Sequence, residues 1–155
     1  MMFAASSCGG GGGGNHRSAP TTSTNALATT TTSTSLVART DKTASTAPAG
    51  AIEVQMRNTE FQPSALTAKA GNVTFFLVNA ESPDLPEGDR PLDRTHNLTI
   101  NGAEGLPLAI SDRVAIGEKA AFTVEGLDAG TYKFHCNLPY HAQVGMRGTL
   151  EVQPR

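Results

Sequence analysis

The sequence predicts an all-β fold, a Greek-key antiparallel β-sandwich that follows a disordered N-terminal tail. From residue 51 onward, apolar and polar residues alternate with period two, which is typical of half-buried strands. Seven or eight such segments fit between residues 51 and 155, and Gly, Pro, Asn and Asp separate them. No segment shows a helical period, so short strands joined by turns account for this part of the chain.

The first predicted strand is AIEVQMR, in which Ile52, Val54 and Met56 share one face. LTAK follows and ends at a turn around Gly71, and NVTFFLVN is apolar on both faces, as a central strand is. The next four strands are HNLTIN, EKAAFTVEG, AGTYKFHC and RGTLEVQ. The segment NGAEGLPLAISDR is predicted to hold no more than a short turn of helix.

Residues 1–50 form a predicted disordered tether, and residues 51–155 form the folded domain. The first fifty residues consist mainly of Gly, Ser, Thr, Ala and Pro, with three basic residues and one acidic residue. They bury too little apolar surface to offset the conformational entropy that folding removes. The folded part holds nine basic and thirteen acidic residues, so the two parts differ in charge as well as in composition.

The start of the chain, MMFAASSC, resembles a bacterial lipoprotein signal, in which a cysteine after small residues becomes lipidated. Cys8 is the predicted lipidation site. The apolar stretch before it is short and holds no Lys or Arg, so the resemblance is to a truncated signal. An unmodified thiol in a cleaved signal or plain linker, and a disulfide with Cys136, are the alternatives.

The composition argues against two other classes of protein. The net charge of −2, and the lack of a basic stripe with interleaved aromatic residues, argue against nucleic-acid binding. No run of eighteen or more apolar residues occurs, so no transmembrane helix is predicted. One soluble domain with a tail is therefore expected.

Four metal-binding side chains are predicted to meet at one end of the sandwich. In TYKFHC, strand alternation puts Cys136 on the core face and His135 on the outer face. His96 shares a face with the apolar residues of HNLTI, and Met146 shares one with those of MRGTLEV. His141 lies on the loop between Cys136 and Met146, so the four donors come from three places in the chain.

Two imidazoles and a thiolate, with a weak axial thioether, are the ligand set of a mononuclear type 1 copper site. One copper ion that alternates between Cu(I) and Cu(II) is therefore the predicted cofactor. A site held between the geometries that the two oxidation states prefer rearranges little on electron transfer. Zinc could use Cys136, His96 and His141, although a thioether adds nothing for zinc. A binuclear copper centre would need a second cysteine in the loop.

Residues 51–155 resemble the cupredoxin family, the small type 1 blue-copper proteins of the plastocyanin, azurin and auracyanin kind. The segments that carry the resemblance are FQPSALTAKAGNVTFFLVN, THN and FHCNLPYHAQVGMRGTLEV. It implies the same four copper ligands, His96, Cys136, His141 and Met146. It also implies that Asn97 ties the two ligand-bearing loops together and steadies the cysteine sulfur.

Two features leave details of the site open. Four residues separate Cys136 from His141, as in azurin-like loops, and four separate His141 from Met146, as in plastocyanin-like loops. Gln143 is an alternative axial ligand. His135 precedes the cysteine, as it does in copper enzymes where it binds a second copper, but the chain lacks the further histidines that such a centre needs. An outward-facing surface histidine is expected.

The resemblance implies a one-electron carrier rather than an enzyme. It also implies a place outside the cytoplasm, in the periplasm or at the cell surface, where the lipidated N-terminus would tether the protein to a membrane. The partners would be transient protein redox partners such as a cytochrome, an oxidase or a reductase, and the carrier itself would be a monomer. Copper delivery or storage, and an electron-donating module of a copper enzyme, are the alternatives.

Two surfaces are expected to meet such partners. In the family, the imidazole edge of the residue that corresponds to His141 faces solvent within an apolar patch. Residues 80–95, which are too polar and proline-rich for a strand, form a predicted excursion over the surface. This excursion would steer a basic partner, with a merely solvated loop as the alternative. Its acidic residues are Glu81, Asp84, Glu87, Asp89 and Asp93.

Overall fold

The computed structural model describes residues 36–57, 59–84 and 94–155. Within these ranges the chain forms ten strands and one short 3-10 turn, Ala103–Gly105. The strands are β1 (Ala38–Asp41), β2 (Ile52–Arg57), β3 (Glu60–Gln62), β4 (Ala65–Lys69), β5 (Gly71–Asn79), β6 (Thr99–Asn101), β7 (Pro107–Ile110), β8 (Lys119–Leu127), β9 (Gly130–His135) and β10 (Arg147–Gln153).

The ten strands form two five-stranded sheets. The first has the order β1-β8-β5-β2-β3, and the second has the order β4-β10-β9-β6-β7. Most neighbours are antiparallel, but β2 runs parallel to β5 and β4 runs parallel to β10. The predicted all-β sandwich is confirmed, with the difference that each sheet is mixed. The parallel pairs arise because long connections, rather than hairpins, join these strands.

Both sheets contribute to one apolar core. In the first sheet Phe75 of β5 lies opposite Phe122 of β8, and their rings stack with centroids 6.1 Å apart. In the second sheet Phe134 of β9 enters the same core cluster. Cys136 and Met146 belong to this cluster as well, so two of the predicted ligands are part of the core itself.

The predicted tether is wrong at its C-terminal part, where residues 38–41 form β1. This strand pairs antiparallel with β8, from Ala38 opposite Val124 to Asp41 opposite Ala121. Leu36 packs against the core beside it. The segment is too short and polar to predict a strand, but the edge of β8 offers it backbone partners. Residues 1–35, with Cys8 and most of the predicted tether, lie outside the described residues.

The shortest strands also differ from the prediction. β3 and β7, with three and four residues, are too short to show an alternation and were not predicted. The strand predicted over HNLTIN is shortened to β6, and His96 joins Val114 through an isolated bridge instead. The turn of helix expected in NGAEGLPLAISDR is Ala103–Gly105. In the described ranges, no helix has the length and apolar character that crossing a membrane requires.

Candidate metal centre

Cys136 directly follows β9 and continues the alternation of that strand. Phe134 and Cys136 are buried on the core side, and Phe134 packs edge-on against Phe61 with ring centroids 5.2 Å apart. The backbone N–H of Cys136 donates to the carbonyl of Met146 at 3.1 Å. This bond extends the pairing of β9 with β10, so the position of the thiol is fixed by strand geometry.

The loop from Cys136 to Met146 folds back on itself through its own backbone. The N–H of His141 donates to the carbonyl of Leu138 at 3.2 Å, and the N–H of Met146 donates to the carbonyl of His141 at 2.9 Å. Tyr140 has a φ of 68°, a left-handed conformation that turns the chain just before His141. These turns direct the imidazole of His141 into the protein.

His96 reaches the site from the other ligand-bearing loop. Its N–H donates to the carbonyl of Val114 at 3.1 Å, and the N–H of Val114 donates back to the carbonyl of His96 at 2.8 Å. Three residues later β6 begins beside β9, with Thr99 opposite His135. The bridge and the strand together hold the buried imidazole of His96 close to Cys136.

Three of the predicted side chains meet at one buried point. The Nδ1 atoms of His96 and His141 are 3.2 Å apart, and the Sγ of Cys136 lies 3.4 Å from the Nδ1 of His141. The ligand atoms of these three residues all lie within 4.8 Å of one another. Met146, the fourth predicted residue, is buried in the same core cluster as Cys136 and is joined to it by backbone.

The donor set fits a soft metal ion. Two ring nitrogens and one sulfur converge in a region closed to solvent, and all three are ligand types that copper and zinc accept. Met146 is buried in the same core cluster, and a thioether is a donor type that favours copper over zinc. These three residues can therefore bind one metal ion together.

Asn97 joins the loop of His96 to the loop of Cys136. Its Oδ1 accepts from the backbone N–H of Asn137 at 3.0 Å, and its Nδ2 donates to the Oδ1 of Asn137 at 2.7 Å. The two bonds hold the segments on either side of the site together. An effect of Asn97 on the cysteine sulfur stays a prediction.

Two further residues named from the sequence lie away from the three donors. His135 is half-buried on the outer side of β9, with its Nδ1 3.3 Å from the Nδ2 of Asn101. Burial lowers the pKa of His135 below its ordinary value, because it disfavours the charged imidazole. Gln143 is exposed, whereas Met146 is buried, which favours Met146 as the fourth ligand.

The expectation that the imidazole edge of His141 faces solvent is wrong. The side chain is fully buried, with 0% of its surface exposed. Its backbone bonds to Leu138 and Met146 turn the residue inward, while Tyr140 and Val144 of the same loop remain exposed. The loop surface, rather than the imidazole itself, therefore faces solvent at this end of the protein.

The expectation that Glu81 belongs to an acidic surface is also wrong. Its side chain is only 7% exposed, and its Oε1 lies 3.1 Å from the Nε2 of His96. The contact with the imidazole compensates for the burial of the carboxylate. Asp84 is exposed as expected, and Glu87, Asp89 and Asp93 lie outside the described residues.

Sequence reasoning did not identify the contact of Glu81 with His96 or the pairing of Asn137 with Asn97. It also missed Asn79, which accepts from the N–H of Glu81 and donates to the carbonyls of Arg94 and Val114. The available signal was weak: an amide at the end of an apolar strand, and a carboxylate two residues later. Nothing in the pattern joined Glu81 to His96, which lies fifteen residues further along the chain.

A family model described as a cupredoxin-like domain matches residues 26–152. The chain therefore belongs to the cupredoxin-like family, and the resemblance seen in the sequence is confirmed. The match begins before residue 51, in agreement with the position of β1 in the fold. No curated protein sequence matches the chain.

Several solved structures share this fold. An auracyanin B structure is 22% identical, with a TM-score of 0.56, and the match covers 76% of this chain and 98% of that chain. A dithionite-reduced auracyanin from Roseiflexus castenholzii is 19% identical, with a TM-score of 0.55, over 70% of this chain and 100% of that chain. A reduced Cu(I) form of an amicyanin mutant is 22% identical, with a TM-score of 0.51, over 77% and 99%. At these identities the likeness shows the fold alone.

Proposed function

We propose that the protein is a mononuclear type 1 copper protein that carries single electrons between redox partners. The observation that carries this proposal is the convergence of the His96, Cys136 and His141 ligand atoms within 4.8 Å in a buried site. These residues would bind copper through two imidazole nitrogens and one thiolate, and Met146 would supply a weaker fourth donor, a thioether. Membership of the cupredoxin-like family supports the assignment.

A bound copper ion supplies one-electron chemistry, because it is stable as Cu(I) and as Cu(II). The protein contributes a preformed and rigid set of donors. The backbone bonds of the loop fix Cys136, His141 and Met146 relative to one another, and the bridge to Val114 fixes His96. Donors held in this way move little when the charge at the site changes, which favours rapid electron exchange.

The surface above the site suits a transient protein partner. We call residues 138–144 the docking loop. Tyr140 and Val144 are large side chains on this loop with 66% and 57% of their surfaces exposed. Aromatic side chains are enriched in protein interfaces, and a small interface permits the rapid release that turnover needs. A redox protein would contact the docking loop rather than His141 itself.

We also place the protein outside the cytoplasm. A reactive thiol is exposed to oxidation there, and the complete burial of Cys136 together with metal binding would protect it. Lipidation of Cys8 would attach the chain to a membrane surface.

The first test is the visible absorption of the full chain loaded with Cu(II), before and after addition of ascorbate. The full chain is needed because β1 lies before residue 51. We expect an intense thiolate charge-transfer band that bleaches on reduction, and we expect Cys136→Ser to lack it. Cys8→Ser is the matched control, since it removes the other of the two cysteines, and it should keep the band. A protein that binds copper without colour would show that Cys136 is not a ligand, and would favour copper delivery or storage.

A further inference from the structure

A buried carboxylate contacts the side of His96 that faces away from the other donors. The Oε1 of Glu81 lies 3.1 Å from the Nε2 of His96, and the two side chains are 7% and 1% exposed. Placing a carboxylate out of water is costly unless a hydrogen bond or an opposite charge compensates for it. The contact with the His96 imidazole is therefore the feature that compensates for the burial of the Glu81 carboxylate.

Asn79 fixes this contact from the end of β5. Its Oδ1 accepts from the N–H of Glu81 at 3.1 Å, and its Nδ2 donates to the carbonyls of Arg94 and Val114 at 2.8 and 2.9 Å. Val114 is the residue that bridges His96. The buried amide of Asn79 therefore holds Glu81 and Arg94, at the two ends of the excursion, and also Val114. These bonds bring Glu81 close to His96.

The contact determines which nitrogen of His96 carries the proton. A carboxylate accepts hydrogen bonds, so the Nε2 of His96 is the protonated nitrogen when it bonds to Glu81. The Nδ1 then carries a lone pair instead of a proton, and this is the atom that lies 3.2 Å from the Nδ1 of His141. A hydrogen-bonded carboxylate behind a metal-binding histidine both orients the ring and makes it a stronger donor.

We propose that Glu81 is a positioning residue that fixes the His96 tautomer and lowers the reduction potential of the copper site. The proposal rests on the function proposed above, and it assigns part of the excursion to the site rather than to partner steering. The physical reason is electrostatic: a buried negative charge behind a ligand stabilises Cu(II) more than Cu(I), because Cu(II) carries the larger positive charge.

Two substitutions separate the charge of Glu81 from its hydrogen bond. Glu81→Gln keeps an acceptor oxygen but removes the charge, whereas Glu81→Ala removes both. Asp84→Asn is the matched control, because it neutralises an exposed carboxylate of the same excursion. Before the other measurements, a cooperative thermal unfolding transition of each full-chain variant establishes that the variant is folded.

The first readout is the reduction potential of the copper-loaded protein. We expect Glu81→Gln to raise it by an amount equal to about a tenfold change in the ratio of Cu(II) to Cu(I) affinity, or about 59 mV. Asp84→Asn should shift it far less, since water and salt screen exposed charges. Equal shifts for the two substitutions would overturn the proposal.

The second readout uses the metal-free protein, so it does not depend on the proposed function. Nitrogen-15 NMR of the His96 ring should show protonated Nε2 in the natural chain and in Glu81→Gln. In Glu81→Ala we expect a mixture of tautomers, and a copper affinity reduced about 10- to 100-fold. An unchanged tautomer in Glu81→Ala would overturn the proposal even if the copper band were present. A different outcome would overturn the proposed function instead: the copper-loaded natural chain lacks the thiolate charge-transfer band, while the tautomer still differs between the natural chain and Glu81→Ala.

Discussion

The carbonyl of Met146 accepts a hydrogen bond from the backbone N–H of Cys136 at 3.1 Å. The N–H of Met146 in turn donates to the carbonyl of His141 at 2.9 Å. The backbone of Met146 therefore closes the loop CNLPYHAQVGM onto both of its other soft donors. This explains why the thiol, the imidazole and the thioether lie so close in sequence, because one short closed loop can fix all three.

Met146→Leu tests the thioether separately from the packing. Leucine has a similar volume, so we expect the free energy of unfolding of the metal-free protein to change by less than about 1.5 kcal/mol. The reduction potential should rise, since Cu(II) gains more than Cu(I) from an added donor and loses more when that donor is removed. Potentiometric titration and urea unfolding measure the two effects.

Gln143→Ala is the control for that experiment. Gln143 is the alternative axial ligand, and it is exposed on the docking loop. We expect its substitution to leave both the potential and the absorption spectrum unchanged. A shift with Gln143→Ala and none with Met146→Leu would make Gln143, rather than Met146, the fourth ligand.

Asn97→Ala tests the tie between the two ligand-bearing loops. The substitution removes the acceptor of the Asn137 N–H and the donor to its Oδ1. Each hydrogen bond contributes about 0.5–1.5 kcal/mol, so the loss of both part-buried bonds costs about 1–3 kcal/mol. We expect a loss of that size in the unfolding free energy of the metal-free protein, measured by urea denaturation.

Asn137→Ala provides the comparison for Asn97→Ala. It keeps the backbone N–H of residue 137 and its bond to the Oδ1 of Asn97, so it loses one hydrogen bond, worth about 1 kcal/mol. Equal losses for the two variants would mean that the bond to the backbone contributes nothing.

The strand-borne part of the site could be predicted from the sequence, because strand alternation is a local property. The period-two pattern of TYKFHC placed Cys136 on the core face, and that of MRGTLEV did the same for Met146. The structure buries both residues. The fold class followed from the same alternation repeated along the chain.

The remaining features depend on contacts between distant segments. Glu81 reaches His96 only because Asn79 joins both ends of the excursion, and such a side-chain anchor leaves no periodic signal. The inward turn of His141 depends on a positive φ at Tyr140, a residue type that does not favour this conformation. β1 exists because the edge of β8 needs a partner, not because of its own composition.

The position of β1 makes a prediction about the minimal folded chain. A fragment of residues 51–155 lacks the strand, its ladder with β8 and the packing of Leu36. It also loses the bond from the Asp112 N–H to the Thr40 Oγ1, at 2.9 Å. Each hydrogen bond contributes about 0.5–1.5 kcal/mol, and ordering the segment offsets part of that gain. We therefore expect the fragment to be less stable than residues 36–155 by about 1–3 kcal/mol.

Urea unfolding of the metal-free fragments measures this difference. The slope of the unfolding free energy against urea concentration should also be smaller for fragment 51–155, because it buries less surface. The fragment 36–155 is the matched comparison, since it keeps every residue that the structure describes. The full chain should match it within about 0.5 kcal/mol if residues 1–35 act as a tether. Equal unfolding free energies for fragments 51–155 and 36–155 would mean that β1 adds nothing to the stability of the fold. Residues 36–50 would then behave as part of the tether.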